Sequence, residues 1–154
     1  KRKMLRPSKK MLFAIEAVLD IAYHAGGEPV QSREITRRQG IPRRYLEQTL
    51  QQLVRSGILV GVRGPKGGYR LARERRRISV GEVVRVVRAM ETAEDPFQDV
   101  PASDLGAKVI RPMWGDLTEE IMDRLDAITF DDLCMRSYKT GIPSEAHSKL
   151  DFII

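Results

Sequence analysis

Two short stretches carry the side chains with the most to offer a polyanion. One is Arg44-Tyr45-Leu46-Glu47-Gln48, and the other, further on, is Arg63-Gly64-Pro65-Lys66-Gly67-Gly68-Tyr69. An arginine or glutamine near the start of a helix can hydrogen-bond a base edge in the major groove of DNA, and a glutamate can accept from a cytosine amino group. Glu47 is informative because a carboxylate is costly beside phosphates unless a base compensates it. Arg63 opens a basic, glycine-rich tip suited to a minor groove, where the negative potential deepens as the groove narrows. Lys66 and Arg70 have the charge and reach for phosphates, which give affinity without sequence information. Tyr69 reads more simply as a packing residue under the tip.

Other chemistry is poorly served. His24 and His147 lie far apart, and neither has a second ligand at zinc spacing. The Gly64–Gly68 turn joins two strands and opens no helix, so it is not a phosphate-binding loop of the nucleotide type. No motif gathers a nucleophile, a base and an acid. The expectation is a protein that is not an enzyme and holds no metal and no cofactor.

The elements that must position these residues follow from apolar spacing. Ser8 can cap a first helix in which Met11, Leu12, Ile15, Val18, Leu19 and Ala22 recur at helical intervals, ended by Gly26-Gly27. Ser32 can cap a short second helix anchored by Ile35. Gln39-Gly40-Ile41-Pro42 turns the chain, with Pro42 in the first turn of a third helix. There Leu46, Leu50, Leu53 and Val54 form the apolar face, and Arg44, Gln48, Gln51 and Arg55 an opposing polar one. Residues 58–62 and 69–71 read as the two strands of a hairpin. Arg73 to Arg77 reads as an exposed basic run. Ser79 can cap a fourth helix with Val80, Val83, Val84 and Val87 buried. Ile110, Trp114, Leu117, Ile121, Leu125 and Ile128 mark a long helix that starts near Arg111 or kinks at Pro112. Thr129-Phe130 begins a last short helix, and the chain from Lys139 has weak periodicity.

Composition sets the outer bounds. The 154-residue chain is 42% hydrophobic with a net charge of +6, enough for one domain with an association element. The charge is divided unevenly: residues 1–77 hold 19 Lys and Arg against 6 Asp and Glu, while residues 78–154 hold 8 against 15. A basic half joined to an acidic half suits a polyanion-binding module fused to a second function. The single cysteine excludes an internal disulfide framework and fits a reducing cytoplasm. No apolar run is long enough to span a bilayer. The start, Lys1-Arg2-Lys3, leads into an amphipathic stretch and not a signal peptide, and a first residue other than Met reads as a trimmed or processed chain.

Ser32 to Arg73, SREITRRQGIPRRYLEQTLQQLVRSGILVGVRGPKGGYRLAR, resembles the winged-helix domain of the Rrf-type family of bacterial transcription regulators, the IscR, NsrR, RirA and CymR group. The similarity extends over roughly residues 5–134: ISVGEVVRVV is similar to the family's next helix, and Trp114–Leu133 to its dimerisation helix and closing segment. The resemblance implies base reading by Arg44, Glu47 and Gln48 and a minor-groove role for Arg63; some members carry a small polar residue where Arg44 stands. It also implies an iron–sulfur cluster, which the best-known members hold through three cysteines in the loop before the long helix. Here that loop, Glu94 to Val109, has no cysteine and no histidine. Its Asp95, Asp99 and Asp104 are hard oxygen ligands unsuited to replace thiolates. The cluster is therefore not expected, and Cys134, beyond the long helix, reads as a small semi-buried apolar residue, with a redox-sensing thiol as the alternative.

The expected fold is mainly α with a small β-hairpin wing: a winged helix-turn-helix domain over residues 5–92, a loop over 93–109, a dimerisation helix and closing segment over 110–136, and a tail over 137–154 that is free to move. The residues expected at DNA are Arg43, Arg44, Tyr45, Glu47, Gln48, Arg63, Lys66 and Arg70, with Ser8 and Ser32 at two helix starts. Ile110, Trp114, Leu117, Ile121, Leu125 and Ile128 are expected to pair two copies. The function expected is a cytoplasmic, homodimeric regulator, in the sense of a repressor, that binds double-stranded DNA at a pseudo-palindromic operator. Phe97, Val100 and Leu105 are expected to close over a small-molecule or protein effector. The competing expectation is a winged-helix adaptor that binds protein without reading DNA sequence.

Overall fold

A computed structural model describes residues 7–91 and 101–146. Among them, α1 (Lys9–His24), α2 (Ser32–Gln39) and α3 (Arg43–Arg55) are followed by a hairpin, β1 (Leu59–Val62) and β2 (Gly68–Leu71), then α4 (Val80–Glu91), α5 (Arg111–Asp126) and α6 (Phe130–Lys139). The expected class, helices with a hairpin wing, is the one observed.

Local signals explain most boundaries. Ser8 caps α1, its hydroxyl accepting the Met11 N–H at 3.2 Å. Ser32 does not cap α2: it is the first helical residue, and Gln31 takes the cap position. The Glu34 carboxylate accepts the Gln31 N–H at 2.9 Å. Gly40 ends α2 with φ +68°, a left-handed turn that glycine adopts without cost. Pro42 is the N-cap of α3, one position earlier than expected. Ser79 caps α4 as expected, exchanging hydrogen bonds with Glu82.

The core is one cluster in which α1 is central. Val18 and Ile21 of α1 pack with Ile35 of α2, Leu46, Leu50 and Leu53 of α3, Val83 and Val87 of α4, and Phe130 and Cys134 of α6. Burying a leucine or valine side chain is worth roughly 1.5–3 kcal/mol, so the apolar face of α3 fixes its opposite face outward. In the hairpin Leu59 pairs with Leu71 and Gly61 with Tyr69. Tyr69 and Leu71 pack on the core, Tyr69 as expected, while Val60 and its partner Arg70 are exposed. Ile58 lies outside β1 but accepts the Ala72 N–H at 2.9 Å, closing the base of the hairpin.

Three further expectations differ from the structure. The loop does not run to Val109. Residues 104–105 are already helical, and Gly106–Ile110 forms a π-turn leading into α5. Arg111 N–H bonds the Gly106 carbonyl, five residues back. The wider turn accommodates Pro112, which has no N–H and would crowd an ordinary helical turn. The Arg73–Arg77 run is not simply exposed. Arg73 pairs with Glu82, and a half-buried Arg75 pairs with Asp131 at 2.7 Å. The chain from 137 is no free tail as far as Ala146. The α6 helix continues to Lys139, and the segment after it straps back over the end of α1. There Tyr23 Oη donates to the Ile142 carbonyl, Ser144 Oγ donates to the Tyr23 carbonyl at 2.6 Å, and Glu145 bridges to Arg37 and Arg38 of α2.

Candidate nucleic-acid interface

The exposed face of α3 carries Arg43, Arg44, Glu47, Gln48 and Gln51 around one shallow depression. Arg43 Nε and Glu47 Oε1 are 3.1 Å apart, one helical turn along. So exposed a pair adds little stability, but it orients Glu47 and offsets its charge. The opposite face of α3 is buried through Leu46, Leu50 and Leu53. Thr49, between the two faces, bonds its hydroxyl back to the Tyr45 carbonyl at 2.8 Å.

The wing is anchored to the same body. Val30, just before α2, pairs with Tyr69 through two 2.8 Å backbone bonds. Gly68, at φ +153°, lies so close to Val30 that a β-carbon would strike the Val30 carbonyl; a β-carbon on Gly67 would strike the Val62 carbonyl. The tip is further tied by Gln31 Nε2, which donates to the Pro65 carbonyl at 3.4 Å. Arg63, Lys66 and Arg70 remain exposed on this fixed hairpin. Two cationic regions, the α3 face and the wing, are thus held to one core.

The remaining expected residues divide. Tyr45 is exposed at the start of α3, in a cleft with Ser8, Lys9, Lys10, Phe13, Pro42 and Glu91. Ser8 also donates to Glu91 at 3.0 Å. Ser32 is half-buried at the start of α2. Lys9 and Lys10 were missed from sequence; two lysines directly after a capping serine were the available signal. Gln51 was seen only as part of the polar face, and Gln31 gave no signal because Pro65 is far away in sequence.

The α5 helix has no buried residue. Ile110, Trp114, Leu117 and Ile121 are exposed, Trp114 at 56%, and Met113 joins them. Leu125 belongs instead to the chain's own core margin, because α5 ends against α4. Ile128 is 36% exposed and gives its carbonyl to the Val80 N–H. Leu105 is 75% exposed on the helical turn before α5; Phe97 and Val100 lie outside the described residues. A groove of about 520 Å³ lies elsewhere, between α1, α2 and the strap. Its Asp20, Arg38, Gln39 and Glu145 side chains bond one another, and it includes none of the residues expected at DNA.

Comparison with known proteins fits this geometry. The family model described as "Rrf2: Iron-dependent Transcriptional regulator" matches residues 7–136. The chain is 36% identical over 134 residues to the HTH-type transcriptional regulator IscR of Vibrio cholerae, covering 85% of this chain and 76% of that one. It is 35% identical to a putative HTH-type transcriptional regulator of Azotobacter vinelandii, covering 86% of this chain and 81% of that one. Among solved structures, T. potens IscR superposes with a TM-score of 0.74 at 31% identity, over 94% of this chain and 96% of that chain. CymR of B. subtilis, the global cysteine regulator, gives 0.67 at 27% identity, over 86% and 98%.

The iron in the family description can be tested against the donors this chain has. Thiolate-held clusters need several cysteines, and the sequence has one. Cys134 is fully buried in α6, and burial pushes its thiol up, against the pull of Arg75. Among the described residues no three His, Cys, Asp or Glu side chains are grouped to hold a metal. Asp95 and Asp99 lie outside the described residues, and Asp104 opens the helical turn before α5. This donor set does not fit a cluster of the thiolate kind.

Proposed function

The chain belongs to the Rrf2 family of transcriptional regulators, and from that premise we propose that it is a sequence-specific DNA-binding repressor that acts as a homodimer on a pseudo-palindromic operator. The observation that carries this reading is the exposed polar face of α3 beside an exposed basic wing, both anchored to one core. In this reading α3 enters a major groove. Arg44, Glu47 and Gln48 read base edges, with Arg43 holding Glu47 in place and Gln51 continuing the surface. Arg63 enters the adjacent minor groove. Lys66, Arg70, Lys9 and Lys10 neutralise phosphates, and Ser8, Tyr45 and Ser32 border the backbone. Two copies pair along α5 through Ile110, Trp114, Leu117 and Ile121, with Leu125 and Ile128 at the margin. The site has no catalytic task. No described helix is long and apolar enough to cross a membrane, and the setting proposed is the cytoplasm. An effector, a small molecule or a protein, supplies the signal.

The test separates affinity from specificity. Selection of bound sequences from random DNA first defines the operator. Lys66→Ala should then weaken binding to operator and random DNA alike and reduce the slope of log affinity against log salt by about one. Gln48→Ala or Glu47→Ala should cost about 1–3 kcal/mol on the operator and little on random DNA. Equal losses on both DNAs for all three variants would remove the assigned roles. An unchanged operator affinity for Glu47→Ala would favour a protein-binding adaptor.

A further inference from the structure

The joint between the DNA-reading body and α5 is made by several contacts that converge on one carboxylate. Arg85 of α4 and Asp126 at the end of α5 form a two-pronged pair, 2.6 Å on each arm. Gly81, buried in the first turn of α4, lies directly against Asp126, and a β-carbon there would overlap the carboxylate. Asp126 thus sits over the start of α4, where the helix dipole favours negative charge. Backbone bonds close the same joint: Val80 N–H donates to the Ile128 carbonyl at 2.8 Å, and Phe130 N–H to the Ile78 carbonyl at 3.0 Å. The Arg85 and Asp126 side chains are 54% and 35% exposed, and pairs so exposed contribute little to folding. What a planar guanidinium fork adds is direction, since it meets a carboxylate at two points in one plane.

We propose that Arg85, seated on Asp126 and Gly81, is a positioning residue that sets the angle between the reading body and the dimerisation helix and thereby selects the half-site spacing of the operator. This rests on the homodimer reading above. One base pair changes the half-site separation by about 3.4 Å and rotates it by about 34°. A head held rigidly on α5 meets one spacing well and its neighbours badly; a head on a loosened joint accepts several. The pair lies on α4 and α5 and is not among the residues of the α3 face.

The experiment uses the full chain with the operator found by selection, the same operator with its spacer lengthened or shortened by one base pair, and a single half-site. Wild type should prefer one spacing. Arg85→Ala should lose about tenfold of that preference, which is about 1.4 kcal/mol, with half-site affinity, dimer mass and melting temperature unchanged. Arg85→Lys, which keeps the charge without the fork, should lose part of it. The reversed pair, Arg85→Asp with Asp126→Arg, should recover more of it than either single change. Full spacing preference in Arg85→Ala, or an equal loss on half-site and operator, would overturn the assignment. Wild type alone decides the underlying reading: a monomer, or a dimer indifferent to spacing, would remove that reading and this proposal with it.

Discussion

His24 ends α1 with Nδ1 accepting the Glu145 N–H at 3.1 Å, a bond that the ring makes with that nitrogen unprotonated. Burial, then the Arg38 charge, hold its pKa below the ordinary imidazole value; Asp20, Glu145 and Glu34 pull the other way without prevailing. In the unfolded chain the ring titrates near its ordinary value of about 6.5. Between that value and the lowered native one, the unfolded state binds the extra proton. Stability from this site is therefore complete above about pH 6.5 and declines as the pH falls toward the native pKa. His24→Gln keeps an acceptor and has no proton to gain. Urea midpoints measured from neutral to mildly acidic pH should fall more steeply for wild type than for His24→Gln. Parallel curves would show that His24 does not set the acid response. Cys134 was read from sequence as semi-buried and is instead fully buried in the core.

The wing gives the corresponding test at the scale of an element. Its second strand can lie against Val30 because Gly68 has no β-carbon and adopts a φ that other residues rarely reach. Gly68→Ala should destabilise the chain by about 1–3 kcal/mol and weaken binding to random DNA by displacing Lys66 and Arg70. Gly61→Ala, whose β-carbon would meet nothing within 4 Å, should stay within about 0.5 kcal/mol of wild type. Thermal melts and DNA titrations of both variants measure this, and equal effects would remove the packing argument. The same element shows what a sequence reveals. α3, the hairpin and α4 were legible because apolar period, caps and glycines all act over a few residues. So was most of the candidate site, since the polar face of α3 is the complement of its leucine face. The helical turns at 104–110 were hidden by Gly106 and Pro112, which a π-turn reconciles with helix. The strap from 140 to 146 was hidden because its bonds, Ser144 to Tyr23 and Glu145 to Arg38, join residues more than a hundred positions apart. Arg85 and Asp126, 41 residues apart, carry no mark in either local pattern.

For the whole molecule, the question is what α5 faces. Ile110, Trp114, Leu117 and Ile121 recur at the three- and four-residue spacing of a helical seam, yet all are exposed in the single chain. A contiguous apolar stripe is a surface for association, and a pair of identical stripes related by a two-fold axis closes on itself. The charge division of the chain agrees with such pairing: α5 lies in the acidic half, so pairing along it would leave the basic bodies outward. Trp114 is the only tryptophan, so its fluorescence reports on this seam alone. Dilution should shift its emission to the red as pairing is lost, in step with a fall in light-scattering mass from two chains to one. Ile121→Asp, which places an unpaired charge in the seam, should give a folded single chain with red-shifted emission at all concentrations. That variant should bind an isolated half-site as wild type does and lose about 100-fold or more on the full operator, the advantage that tethering two heads supplies. A two-chain mass for Ile121→Asp, or emission indifferent to dilution while the mass halves, would place the contact between copies somewhere other than α5.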